Sequence, residues 1–183
     1  MKRLVILRAA ALVLAAAFAL SGCGYTTGSL LPPEFKTIYV ENFVNKIAVT
    51  SDMTDARMYV NYRPGMEIEV TKRVIDRFLY DGNLAITQVD KADLILKADL
   101  VDYRREALRY DANANVEEYR VTLVVDMELV NARTGKTVWK EKNFGGESTY
   151  RTGGTLAKSE DAAIRSASED LARRIVERTI EAW

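Results

Sequence analysis

Hydrophobic and polar residues follow two different periods along this chain, and the periods outline its secondary structure. In residues 93–103 and 118–130, apolar side chains occupy every second position and polar ones lie between them. A period of two predicts β-strands with one buried and one solvated face. Residues 37–43 and 84–89 predict shorter strands, and KTVWKEKNF predicts another after a hairpin connection at residues 131–136.

Two other segments repeat apolar residues every three or four positions, which is the period of an α-helix. The first helix is expected to open at Pro64 and to end at Gly82, and the second to begin at a capping Ser159 and to run to residue 182. Their expected core residues are Val70, Val74, Ile75, Phe78 and Leu79 in the first, and Ile164, Ala167, Leu171, Ile175, Val176 and Ile180 in the second.

The order of elements is a strand, a helix, about four strands and a final helix. Two amphipathic helices can cover the same face of one sheet, which predicts an α+β fold. We expect a two-layer sandwich with a mixed, mostly antiparallel sheet and two helices packed on one face. Residues 44–63 predict a long loop that is either functional or merely an insertion. Gly145-Gly146 is expected to interrupt the chain after the last strand.

The N-terminus has the layout of a secretory signal peptide. A basic start at Lys2, Arg3 and Arg8 precedes twelve consecutive apolar residues, 9–20, which are too few to span a bilayer. Leu20-Ser21-Gly22-Cys23 resembles the bacterial lipobox. That resemblance implies cleavage before Cys23, a diacylglycerol on its thiol and an N-acyl chain on the new amino terminus. An ordinary secreted protein with a free thiol is the alternative.

The chain is therefore expected to contain a lipoprotein signal peptide (1–22), a lipid-anchored tether (23–36) and a single domain (37–183). Several acyl chains hold a protein stably on a membrane, whereas one does so only marginally. Gly24, rather than Asp, follows the cysteine, and by the bacterial sorting rule this favours the outer membrane. The domain would then face the periplasm.

Composition excludes several classes of function. The 183 residues include no histidine and only one cysteine, so zinc sites and His- or Cys-based nucleophiles are not expected. Without the signal peptide, 23 basic residues stand against 26 acidic ones, which is unsuited to general nucleic-acid binding. No phosphate-binding loop or recognisable catalytic carboxylate pair is present. We therefore expect a protein that is not an enzyme and that uses neither a metal nor a cofactor other than the lipid on Cys23.

Several stretches together resemble the LPS-assembly lipoprotein family (LptE). They are CGY (23–25), LPPEFKTIYVENF (31–43), IDRFLYDGNL (75–84), the long segment YRREALRYDANANVEEYRVTLVVDMELVNARTGKTVWKE (103–141) and the tail ARRIVERTIEAW. The resemblance covers most of the chain after Cys23. Residues 44–63 depart from it, because typical members are shorter there.

The resemblance implies a non-catalytic lipoprotein in the periplasmic leaflet of the outer membrane. Members of the family bind the large LPS-transport β-barrel, act partly as a plug inside it, and contact lipopolysaccharide. The implied partners are that barrel, lipopolysaccharide and outer-membrane lipids. The alternative is a periplasm-facing regulatory lipoprotein that activates a cell-wall synthase or another envelope complex, although a tether of residues 24–36 is short for reaching across the periplasm.

The most informative candidate for contact is residues 104–117, which we expect to form a loop between the long strands. Arginine binds phosphate in a bidentate manner, and lipid A carries phosphates. The same arginines could instead pair with neighbouring acidic residues on a solvated hairpin, and the loop could dock inside the barrel. A cluster of Tyr103, Tyr110 and Tyr119 is expected to pack in the fold, although Tyr110 could also rest on acyl or sugar surface, and Trp139 is expected to pack in the core or on the sheet face. The candidate contact residues are Arg104, Arg105, Arg109, Tyr110, Asn113, Asn115 and Arg120.

Overall fold

One mixed sheet and two helices make up the part of the chain that the computed structural model describes, residues 31–47 and 64–181. The signal peptide, Cys23, residues 48–63 of the expected loop and Trp183 lie outside these residues. The elements are β1 (Thr37–Val40), β2 (Val44–Asn45), α1 (Met66–Asp81), β3 (Ala85–Ile86), β4 (Leu94–Tyr110), β5 (Val116–Asn131), β6 (Thr137–Arg151) and α2 (Glu160–Glu181).

The sheet has the strand order β3-β1-β4-β5-β6, and β2 pairs with β4 beyond the end of β1. The short strands β1, β2 and β3 make parallel pairs, whereas the long strands β4, β5 and β6 are antiparallel. Both helices pack on the same face of this sheet and against each other. The predicted α+β two-layer sandwich is therefore confirmed.

The core lies between the helices and the sheet, and the periodic residues supply it as predicted. Alternate residues of β4 and β5 are buried, as are Val70, Val74 and Phe78 of α1 and the whole predicted face of α2. Leu79 is an exception, because 62% of it is exposed. At about 100° per residue, Leu79 is turned roughly 140° from Val74, which carries it out of the contact with the sheet.

Several predicted boundaries are wrong, and each has a local cause. The strand expected at 84–89 is reduced to β3, because the chain turns through a 3₁₀ segment, Val89–Lys91, to reach β4. The first strand ends at Val40 rather than at residue 43. The expected loop at 44–63 begins with the two residues of β2. Gly145-Gly146 does not interrupt the chain but lies inside β6.

The helix ends follow the capping residues closely. The Ser159 hydroxyl accepts a hydrogen bond from the Ala162 N–H (3.2 Å), one residue before α2 begins. Gly82 ends α1 with φ 77°, and its N–H donates to the Phe78 carbonyl (3.0 Å). α1 begins at Met66 rather than at Pro64, because Gly65 occupies the N-cap with φ 91°. Local capping therefore defines the end of α1 and the start of α2.

Asp93 fastens the start of β1 to the start of β4. Its Oδ2 accepts the N–H groups of Lys36 (3.0 Å) and Thr37 (3.1 Å) and the Thr37 hydroxyl (2.9 Å), while Oδ1 accepts from the Arg133 guanidinium. The Lys36 N–H, with the other donors, lowers the pKa of Asp93 from 3.8 to about 2, against the opposing effect of burial. The carboxylate therefore holds together β1, β4 and the β5–β6 hairpin.

α2 covers β6 at very short range. A Cβ atom added at Gly146 would lie 2.5 Å from Leu171 Cα and still closer to the backbone N and Cβ of that residue. Further along the same helix, the Arg178 guanidinium lies 4.8 Å from the centre of the Trp139 ring, and Trp139 is buried as predicted. The helix therefore rests directly on the backbone of the strand.

Candidate functional site

The predicted loop at residues 104–117 is wrong, because most of it belongs to a hairpin of two long strands. β4 continues to Tyr110 and pairs with β5 from Val116 onward, so the connection is limited to residues 111–115. Cross-strand partners of opposite charge keep the strands paired here, and Arg109 bonds to Glu118 of β5 at 2.8 Å. The candidate arginines and Tyr110 are therefore held on paired strands, whereas Asn113 and Asn115 lie in the connection.

The hairpin connection is stabilised by Asp111. Its Oδ1 accepts the N–H groups of Asn113 and Asn115, both at 2.8 Å, and its Oδ2 accepts from the Asn115 side-chain amide at 3.0 Å. The hydrogen bond from the Asn115 side chain is the main reason that the pKa of Asp111 is lowered. The Asn115 side chain therefore stabilises the turn, whereas the exposed Asn113 contributes only its backbone N–H to it.

Arg105 is part of the packed structure. Its Nη1 donates to Glu160 Oε2 of α2 at 2.6 Å, and its guanidinium lies 5.0 Å from the centre of the Tyr119 ring. The other oxygen of Glu160 accepts the hydroxyl of the buried Tyr103 at 2.5 Å. Burial, followed by the hydrogen bond to Glu160, raises the pKa of Tyr103. This cluster joins β4 to the N-terminus of α2.

Tyr119 packs in the same region, as the sequence predicts. Its ring stacks on that of Tyr150, with 5.5 Å between the two ring centres and 23° between their planes. In the sequence, Glu160 is marked only by its position after the capping Ser159, at the start of a helix. Its contacts with Tyr103 and Arg105 depend on the placement of α2 over the sheet, which has no sequence signal.

The other candidate arginines lie on the surface and each has an acidic neighbour. Arg104 bonds to Asp102 at 2.6 Å, and the Arg120 Nε lies 3.6 Å from a carboxylate oxygen of Glu147. Because side chains alternate along a strand, Arg104 projects on the face opposite to Arg105. Exposed ion pairs contribute less than about 1 kcal/mol, so the ion pairs of Arg104, Arg109 and Arg120 are weak.

Apolar side chains are also exposed near the end of the hairpin. Tyr110 is 58% exposed and Leu108 is 42% exposed, although both belong to β4. The prediction that Tyr110 packs with Tyr103 and Tyr119 is therefore wrong, because Tyr110 lies at the exposed end of the strand. The hairpin end thus combines cations, amides and apolar groups, which is a composition suited to an amphipathic ligand or a protein partner.

The face of the sheet away from the helices carries a shallow concavity of about 370 Å³. Its lining includes the lysines Lys97, Lys140 and Lys142 and the acidic residues Asp126 and Glu128. The sequence predicted that this face would be polar, and this is confirmed. Its charges are mixed rather than of one sign.

A protein-family model matches most of this chain and shows the family to which it belongs. The model described as LptE, lipopolysaccharide-assembly, matches residues 35–179. The chain belongs to the LptE family. The match extends from the residues before β1 almost to the end of α2, so it includes the hairpin and both helices. No curated relative matches the sequence.

Solved structures are similar to this chain at low sequence identity. CT253 from Chlamydia trachomatis has a TM-score of 0.52 and 10% identity, with 79% of this chain and 95% of that chain covered. XCC0632 from Xanthomonas campestris has a TM-score of 0.52 and 14% identity, with coverages of 81% and 88%. Rare lipoprotein B from Shewanella oneidensis has a TM-score of 0.44 and 16% identity, with coverages of 77% and 92%. The first two similarities support the two-layer fold.

Two kinds of feature are not found among the described residues. Neither α1 nor α2 combines the length and the apolar character needed to cross a membrane. Within residues 31–47 and 64–181, acidic side chains form no group of three that could hold a metal ion.

Proposed function

We propose that this LptE-family protein is a lipid-anchored outer-membrane lipoprotein that acts without catalysis. In this proposal it binds the LPS-transport β-barrel and helps to assemble lipopolysaccharide into the outer leaflet. The observation that carries the proposal is the family match over residues 35–179, which spans nearly the whole described domain. The confirmed two-layer fold supports it.

The proposed anchor is Cys23, acylated on its thiol and on its amino group. Seven residues, 24–30, lie between this anchor and Leu31, the first described residue, and they make eight Cα-to-Cα steps. At about 3.5 Å per residue they can extend roughly 28 Å, which suits a partner in the same membrane. Treatment with a lipoprotein signal-peptidase inhibitor should leave residues 1–22 attached to the chain.

The proposed contact surface is the distal part of the β4–β5 hairpin, from the pair Arg104 and Thr122 to the connection at residues 111–115. Arg104, Arg109 and Arg120 offer guanidinium groups to lipid phosphates, and Tyr110 and Asn113 offer neighbouring apolar and amide contacts. Arg105 and Asn115 are left out of this surface because their side chains are used in the fold. Docking of the same hairpin against the barrel is compatible with phosphate contact.

The partner can be tested by purification from native outer membranes in mild detergent through a C-terminal tag. A large β-barrel recovered in near-equal amount would support the proposal. Recovery of a cell-wall synthase without the barrel would instead support the regulatory alternative. A protein recovered alone would contradict a stable complex.

Lipopolysaccharide contact can be tested with the double variant Arg104→Glu/Arg109→Glu. Loss of a charge-assisted hydrogen bond at each position should weaken binding of purified lipopolysaccharide roughly tenfold per residue. Arg73→Glu on α1 is a matched control, because Arg73 is also a surface arginine with acidic neighbours. Equal binding by both variants, with unchanged circular dichroism, would remove the hairpin from the proposal.

A further inference from the structure

The three long strands change register at one level of the sheet. The β4–β5 pairing shifts between Leu100 and Asp102, and the β5–β6 pairing shifts between Val125 and Met127. Val125 is the cross-strand partner of both Leu100 and Phe144, so the two irregularities lie side by side. Register shifts of this kind bend a strand locally. They therefore define a bend line that crosses β4, β5 and β6.

The whole of the proposed contact surface lies on one side of this bend line. Arg104 and Arg109 follow the line in β4, Arg120 lies on the same side of it in β5, and the connection at residues 111–115 is farther away still. A rotation at the bend line would therefore move all of these residues together, relative to the helices and the core.

Glu160, the first residue of α2, contacts the strands well beyond the bend line. Its two carboxylate oxygens accept hydrogen bonds from the Tyr103 hydroxyl at 2.5 Å and from Arg105 Nη1 at 2.6 Å. The side chains of Arg105 and Glu160 are only 29% and 19% exposed. Charge-assisted hydrogen bonds shielded from water in this way are stronger than exposed ion pairs. One carboxylate thus fixes β4 to the start of the helix.

The contacts of this cluster extend to the other two long strands. The Arg105 guanidinium lies 5.0 Å from the centre of the Tyr119 ring of β5, and that ring stacks on Tyr150 of β6. At about 3.3 Å per residue, Tyr119 lies roughly 20 Å along β5 from Val125 at the bend line. α2 also rests on β6 close to the bend line. Because a contact resists rotation more strongly the farther it lies from the axis, the cluster has the larger effect on the angle.

We propose that Glu160 is a positioning residue of the lipopolysaccharide-contact surface, because it sets the angle of the hairpin through Tyr103 and Arg105. Glu160 itself lies outside that surface and acts through the strands. Without its hydrogen bonds the hairpin samples several angles, and the affinity for the ligand falls in proportion to the fraction of molecules at the native angle. This inference rests on the proposed function, since it concerns the same hairpin.

The test uses the full-length lipidated chain in mild detergent and the variant Glu160→Gln. The amide presents an NH₂ group to one of the two donors, so one hydrogen bond is lost. Binding of purified lipopolysaccharide should weaken about tenfold, which is the value expected if one molecule in ten keeps the native angle. Circular dichroism should stay unchanged, because the variant retains the size of the side chain.

The angle itself can be measured with spin labels at Ala112→Cys on the hairpin and Arg165→Cys on α2, two exposed positions. The chain has a single cysteine, Cys23, which is acylated in the proposed function, so the introduced thiols are the only free ones. Pulsed electron paramagnetic resonance should give a narrow distribution of distances between the labels when Glu160 is present. The distribution should be broader in Glu160→Gln.

Asp93→Asn is the matched control. It also removes a hydrogen-bonded carboxylate that joins separate elements, but it lies next to the start of β4, on the other side of the bend line. It should lower the stability without changing the label distances or the binding of lipopolysaccharide. Tyr103→Phe removes only a hydroxyl group, and it should change both measurements in the same direction as Glu160→Gln, by a smaller amount.

Four outcomes would contradict the positioning role or the surface on which it rests. Unchanged label distances in Glu160→Gln would overturn the proposal, and so would broader distances with unchanged binding. An equal loss of binding in Asp93→Asn would show that general stability, rather than the hairpin angle, is responsible. A native protein that binds no lipopolysaccharide would overturn the contact surface of the proposed function together with this inference. Native binding that Glu160→Gln leaves unchanged would remove the positioning role alone.

Discussion

Gly146 is the position at which a single methyl group should disturb this fold most clearly. In Gly146→Ala the new Cβ would be placed 2.5 Å from Leu171 Cα, whereas ordinary contacts of this kind lie at 3.4–4 Å. The colliding atoms belong to the helix backbone and to Leu171 Cβ, so no change of rotamer can relieve the collision. Either α2 or β6 must move by roughly 1 Å.

The energetic cost follows from what α2 buries. A radial gap of about 1 Å forfeits up to half of the dispersion energy of the contacts it separates, and overpacked cores typically lose about 1–3 kcal/mol. Ala167, Leu171 and Ile175 of α2 are completely buried. We therefore expect Gly146→Ala to lower the free energy of unfolding by about 3 kcal/mol. For a chain of this size, that corresponds to a fall in Tm of roughly 6–12 °C.

Gly145→Ala is the control for this prediction. Its Cβ would meet Thr122 Cγ2 at 3.5 Å and the Leu123 carbonyl at 3.6 Å, which are ordinary contacts. Both substitutions reduce the conformational entropy of the unfolded chain in the same way, so the difference between them isolates the contact with α2. Urea unfolding followed by circular dichroism measures that difference. Equal stabilities of the two variants would refute the close approach of α2 to β6.

Three further predictions concern the hydrogen bonds of Asp93, the ion pair of Arg105 with Glu160 and the lipid on Cys23. Because folding lowers the pKa of Asp93 from 3.8 to about 2, its carboxylate should contribute about 2 kcal/mol above pH 4 and lose this as the pH falls toward 2. In urea titrations, the difference in free energy of unfolding between the native protein and Asp93→Asn should therefore become smaller below pH 4. A difference that does not change with pH would contradict the role of the Asp93 hydrogen bonds. Arg105→Met should lower the free energy of unfolding by about 2 kcal/mol, because it leaves Glu160 partly unpaired. In the same assay, Arg104→Met should lower it by less than about 1 kcal/mol. Cys23→Ser should release the protein from the membrane fraction, and retention there would argue against the lipid anchor.

The sequence alone determined the elements whose burial repeats at a regular period. The alternation in β4 and β5 and the three- to four-residue repeat in α2 identify both the elements and their buried faces. Gly82 and Ser159 marked helix ends, because their effects depend on neighbouring backbone groups only. The family resemblance also rests on local stretches, and the family match over residues 35–179 agrees with it.

The tertiary structure decided what each surface residue does. Residues 104–117 contain many charged residues, and this composition predicts a loop. In the structure, the pairing of β4 with β5 places most of these residues in strands. Arg104 and Arg105 are neighbours of the same chemical type, yet only Arg105 contacts α2. In the sequence, Gly146 indicates an interruption of the strand. In the structure, the close approach of Leu171 shows instead why a side chain cannot be accommodated there. These outcomes depend on contacts between residues distant in the chain, and a local pattern carries no information about which segment lies above it.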